Sequence, residues 1–241
     1  MRVLPSLLFT PALRCSFALL LLVAAPAQAA RPFVTDDARI TAEGSCQLES
    51  WVRSYSASQE FWALPACNLG GNLELTLGGG QARNTGEPLT TDTVLQFKTI
   101  VQPLRTNGWG WGLAAGTVHH PEVRPGPNQL GNQYVYAPFS ASFDNDRWLA
   151  HLNVGWLRDK ASSQDRMTWG LGTEFASSPS FSWVAETFGD DKARPYWQAG
   201  WRVFVVPQRF QLDFTFGQQA GGDPASRWLS LGLRYTPGPW F

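Results

Sequence analysis

Three groups of side chains in this sequence have the types and spacing to do chemistry. Cys46 and Cys67 can oxidise to a disulfide. A scattered set of charges can form ion pairs or line a polar conduit: Glu49, Arg53, Glu60, Glu74, Lys98, Glu174, Glu186, Arg202, Asp213 and Arg234, with His151 among them. His119-His120 and Asp36-Asp37 are the candidates for holding a cation. Serine hydrolysis needs a Ser and a His side by side, and spacing alone brings no serine beside His151. Adjacent loop histidines without further ligands are a poor metal set, and Asp36-Asp37 after Thr35 also suits a turn. No Gly-rich phosphate loop or nucleophile elbow is present. The expectation is a non-enzyme with no cofactor and no metal.

The cysteines belong to the stretch that orders the rest. Folded antiparallel about Ser56, Ala57 and Ser58, Gly44–Leu69 sets Cys46 opposite Cys67, Trp51 opposite Trp62, Arg53 opposite Glu60 and Val52 opposite Phe61. Cross-strand pairs of this kind stabilise a sheet, and directly opposed cysteines lie within disulfide reach. The reading is a disulfide-pinned hairpin, against the alternative of two unpaired thiols. An oxidised pair implies export. The N-terminus agrees: two arginines, the short apolar run Phe17–Ala25 and the cleavage site Ala27-Gln28-Ala29 read as a secretory signal peptide over residues 1–29. Cys15 leaves with it, so the mature chain carries two cysteines.

Residues 30–45 read as an irregular periplasmic lead-in, because Pro32 disfavours regular structure and Thr35-Asp36-Asp37 suits a turn. From 46 to 241 the chain resolves into about twelve alternating segments with almost no helical periodicity. Each carries one apolar face and one of Gly, Ser, Thr and charges. Examples are Leu95, Phe97 and Val101 against Gln96 and Lys98, and Phe210, Leu212, Phe214 and Phe216 against Gln211, Asp213 and Thr215. Charged residues are only 16% of the chain, the net charge is zero, and there are 12 Trp and 15 Phe. That balance argues against nucleic acid as partner, and no run after the signal is long enough for a spanning helix.

A secreted β-sandwich and an outer-membrane barrel share this alternation. Two features favour the barrel. Connectors after even-numbered segments are tight (Gly-Gly, Thr-Asn-Gly, Asp-Asn-Asp, Ser-Ser-Pro-Ser, Pro-Gln), whereas those after odd-numbered ones are longer and polar, the first hairpin excepted. The aromatic residues of the apolar face sit mainly near segment ends, as a membrane girdle requires. The terminal Phe241 also fits a signal read by the barrel assembly machinery. The fold class is therefore all-β, a single antiparallel transmembrane barrel of about twelve strands. Its place is the outer membrane of a Gram-negative cell, among outer-membrane lipids.

In such a barrel the charges face inward and must pair. The Pro207-Gln208 turn sets Arg202 opposite Asp213, and Arg234 meets Glu49 if the last strand closes on the first. Two readings stay open for this network: a constriction that sets selectivity, or a structural plug of ion pairs. The function expected is a monomeric passive channel or transporter for small-molecule cargo. The alternative is a closed-lumen structural or binding barrel, or less favourably a lipid-modifying enzyme.

Pro32-Phe33-Val34-Thr35-Asp36-Asp37, followed by Gly44 and Gln47-Leu48-Glu49, resembles the opening of the bacterial outer-membrane proteins grouped as "MetA-pathway of phenol degradation" or putative transporters. The resemblance implies an outer-membrane barrel passing small hydrophobic or aromatic compounds. Cys46 and Cys67 are a departure from that pattern.

Overall fold

Residues Ser45–Tyr55 (β1) and Ser58–Asn68 (β2) pair antiparallel with Cys46 opposite Cys67, Trp51 opposite Trp62 and Arg53 opposite Glu60. The two cysteines are bonded, and the two indoles stack with ring centroids 5.9 Å apart. This hairpin begins a computed structural model that describes residues 33–120, 132–160 and 162–238. The expected signal peptide, Phe241 and most of the loop after His120 lie outside the described residues.

The remaining strands are β3 (Glu74–Asn84), β4 (Thr90–Gln102), β5 (Trp109–His119), β6 (Asn132–Phe143), β7 (Trp148–Asp159) and β8 (Gln164–Ser178). They continue with β9 (Phe181–Asp190), β10 (Tyr196–Val206), β11 (Phe210–Gln219) and β12 (Trp228–Tyr235), and a 3-10 turn at Pro224–Ser226 precedes the last. Each strand pairs with its sequence neighbours, and β12 closes on β1 with Arg234 opposite Glu49. The result is a closed, twelve-stranded antiparallel barrel, which leaves no sheet edge unpaired.

Faces fall where the two-residue period puts them. Leu77, Trp109, Leu171 and Leu231 are each more than half exposed and point outward. Glu74, Lys98, Glu174, Arg202 and Asp213 point inward and are buried. Water would penalise so much outward apolar surface, so this exterior belongs in hydrocarbon. Trp109, Phe143, Trp148, Trp183 and Tyr235 form an outward aromatic band at one end, as an interfacial girdle does.

That end carries the connectors 69–73, 103–108, 144–147, 179–180 and 207–209; the opposite end carries 56–57, 85–89, 120–131, 160–163, 191–195 and 220–227. We call these the short-turn and long-loop ends. Connector length alternates only in outline, since 103–108 exceeds 160–163. The 144–147 turn uses left-handed Asx residues, with Asp144, Asn145 and Asp146 all at positive φ, a conformation that short polar side chains tolerate.

Two expectations need correction. The segment read as a periplasmic lead-in does not trail from the barrel. Phe33, Thr35, Asp37, Ala38 and Thr41 are buried, because their partners are residues of the inner wall. The lumen is also not uniformly polar. Trp51, Leu64 and Val94 form a buried apolar cluster on the inner face, with Trp62 and Val118 against it. Alternation marks the outward parity by its many apolar residues, and the inward parity of β1, β2 and β4 carries Trp51, Leu64 and Val94 among its polar residues.

Candidate functional site

The inner wall of β6 to β11 near the short-turn end is a connected polar layer. Arg202 is fully buried and donates to Asp213 at 2.7 Å and to Glu174 at 2.6 Å. β10 and β11 set Arg202 opposite Asp213, the pairing expected from the Pro207-Gln208 turn. Gln211 donates to the same aspartate at 2.9 Å. His151 Nε2 lies 3.4 Å from Glu174, and its Nδ1 shares a hydrogen bond of 2.8 Å with Ser140. Charges removed from water cost several kcal/mol each unless well paired, and here the guanidinium bridges two carboxylates.

Ser140 corrects the statement that no serine accompanies His151. β6 and β7 place the two directly opposite, in the register set by the four-residue connector 144–147. Ser, His and Glu nonetheless do not make a hydrolytic centre here. Ser140 Oγ accepts the Ala38 N–H at 2.8 Å, Glu174 is held by Arg202, and His151 is 1% exposed. The arrangement serves as a support for residues 33–43, which we call the tail.

The tail enters from the short-turn end, where Ser45 begins β1, and runs up the lumen. Thr41 donates its N–H to Glu74 at 2.7 Å and its hydroxyl to the same carboxylate, while Asn68 donates to the Thr41 carbonyl. Asp36 pairs with Lys98 at 2.9 Å and accepts the Tyr136 hydroxyl at 2.7 Å; Asp37 lies 3.7 Å from Lys98. The Asn153 amide brackets the Asp36 backbone, accepting its N–H at 2.6 Å and donating to its carbonyl at 2.8 Å. At the top, the Glu186 carboxylate accepts Val34 N–H at 2.8 Å and Thr35 N–H at 2.7 Å, and the Gln198 amide also donates to it.

Two glycines make room for the tail. A Cβ at Gly170 would sit 2.5 Å from Thr35 Oγ1, and one at Gly172 would sit 2.5 Å from the Phe33 ring. The tail bends at Val34–Thr35, so that Phe33 lies one inward position nearer the short-turn end than Thr35.

Alongside the tail lies a cavity of about 420 Å³, within the size range of small-molecule sites. The tail lines one side and Trp51, Trp62, Leu64, Val94 and Val118 the other, and the cavity extends from Arg53 and Glu60 toward the long-loop end down to Gln47, Ala66 and Glu74 near the short-turn end. Arg53 is 4.0 Å from Glu60 and 5.3 Å from the centre of the Trp228 ring. Arg234 is buried opposite Glu49 and Gln211.

The other candidates fall outside this layer. His120 contacts Asp92 at 2.7 Å and Asn132 at 3.2 Å near the long-loop end, and Asp36-Asp37 serves Lys98. Among the described residues, no group of three His, Cys, Asp or Glu side chains could hold a metal ion.

Fold and lumen together define a closed, porin-like barrel of twelve antiparallel strands with a segment of its own chain folded inside. The chain belongs to the family described as "Uncharacterised conserved protein UCP029691", whose model matches residues 17–235. No curated protein matches the sequence. Among solved structures, a KdgM porin is similar at 7% identity and a TM-score of 0.60, covering 78% of this chain and 98% of that one. A NanC porin is similar at 10% identity and 0.56, covering 79% and 98%. The COG4313 outer membrane channel from Pseudomonas putida F1 is similar at 13% identity and 0.56, covering 83% and 98%. These identities are low, so the likeness is one of fold.

Proposed function

We propose that the protein is an outer-membrane channel for small molecules, held closed in this structure by its own tail. The observation that carries the reading is the cavity of about 420 Å³ beside the tail, inside a barrel whose exterior suits hydrocarbon. In this reading the tail and the Arg202 layer are the obstruction in the short-turn half of the lumen. Passage through the lumen therefore requires the tail to shift. The cavity wall of Trp51, Trp62, Leu64, Val94 and Val118 favours small apolar or aromatic cargo. The N-terminal resemblance to the phenol-degradation barrels supports the same class.

The closed-lumen alternative also has an observation in its favour, the fully buried Arg202 bridge. Conductance in planar bilayers separates the two. Wild-type protein should give rare openings, and Lys98→Ala, which loses the anchor of Asp36 and Asp37, should open more often. Silence from both would leave the closed-lumen reading. Phe241 serves in this account as the residue read by the assembly machinery, and a Phe241→Ala variant should accumulate less in the outer membrane.

A further inference from the structure

The wall does more than pack against the tail; it recognises main chain. Glu186 takes two consecutive backbone N–H groups, Asn153 takes the N–H and carbonyl of Asp36, Ser140 takes the Ala38 N–H and Glu74 the Thr41 N–H. Five strands, β3, β6, β7, β8 and β9, supply acceptors or glycine seats for one peptide. Buried backbone N–H groups must be paired, with main chain, side chains or water. Here side chains of a closed wall pair them, as they would for a bound ligand. Lys98, reinforced by the Tyr136 hydroxyl, adds a requirement for acid at Asp36 and Asp37.

We propose that the lumen is a binding tract for a short, non-helical peptide carrying two adjacent aspartates, and that residues 33–41 are its tethered occupant. The same walls would accept a free peptide with this chemistry once the tail leaves. The proposal rests on the channel reading only for what displacement does to conduction; binding itself can be measured apart from it.

The test uses the full-length chain with the wall untouched. Asp36→Lys and Asp37→Lys together put cations against Lys98 and should expel the tail. A fluorescently labelled peptide, Ala-Arg-Pro-Phe-Val-Thr-Asp-Asp-Ala-Arg-Ile-Thr, copies residues 30–41. Its anisotropy should rise saturably with the doubly substituted protein and stay low with wild type, whose tract is filled. A peptide with both aspartates replaced by lysine should bind at least roughly tenfold more weakly, since it loses charge-assisted bonds. Ala38→Pro, which removes the N–H held by Ser140, gives a second tail variant should the first fail to fold. Equal binding of both peptides, or no binding by either tail variant while gel migration shows a folded barrel, would overturn the proposal. Peptide binding without any change in conductance would retain the tract and count against the channel.

Discussion

Removing the Arg202 side chain should be among the most damaging single changes available to this barrel. The guanidinium is 0% exposed and donates to two buried carboxylates, Glu174 at 2.6 Å and Asp213 at 2.7 Å. In Arg202→Met both lose their cation while staying in the wall. Glu174 keeps only the looser His151 contact at 3.4 Å, and Asp213 keeps the Gln211 amide at 2.9 Å. Breaking a buried pair by removing one partner costs about 3–5 kcal/mol, because the partner left behind is uncompensated. Combining Arg202→Met with Glu174→Gln and Asp213→Asn removes the stranded charges and should recover most of that loss. The assay is urea unfolding of the refolded barrel, followed by tryptophan emission. Arg158→Ala provides the comparison, since its pair with Asp165 is partly exposed and should be worth under about 1 kcal/mol. A loss in Arg202→Met no larger than in Arg158→Ala, or a triple variant as unstable as the single one, would refute the reasoning.

Three further outcomes follow from the same contacts. Gly172→Val should displace Phe33 and make the tail cleavable by protease in the refolded protein, whereas wild type stays protected. Cys46→Ser should lower stability by about 3 kcal/mol in the chain-entropy account of a ring of this size, read in the same urea assay. Trp51→Ala should enlarge the cavity and weaken quenching of tryptophan emission by phenol, and unchanged quenching would remove that wall from the cargo site.

Most of the barrel was legible because its information is local. Side-chain direction alternates every two residues, so Trp109, Leu113 and Phe97 could be assigned to the exterior, and Glu74 and Lys98 to the interior, without knowing any partner. Register follows from a turn by reflection, which sets Arg202 opposite Asp213; the Ser140–His151 pair also needs the turn's true extent, since a turn centred on Asn145 would put Ser140 opposite Ala150. The tail was illegible for the opposite reason. Residues 33–43 have neither a two-residue nor a helical period, and Thr35-Asp36-Asp37 looks like an ordinary turn. The tail is held by Glu186, Asn153 and Ser140, more than 100 residues away in sequence. Nothing in the spacing of a strand tells whether an inward carboxylate will face water, an arginine or a peptide N–H. Glu186 faces inward by parity, but parity does not name its partners, the Val34 and Thr35 N–H groups.

The tail resides in the lumen, and cross-linking tests that placement directly. Ala38 N–H and Ser140 Oγ are 2.8 Å apart, so Ala38→Cys combined with Ser140→Cys brings two thiols into reach across the lumen. Oxidation of the protein in its native membrane, followed by digestion and mass spectrometry, should recover the peptide containing position 38 linked to the one containing position 140. The Cys46–Cys67 bond recovered from the same digest serves as the internal reference. Recovery of the native disulfide with no 38–140 link would contradict the account.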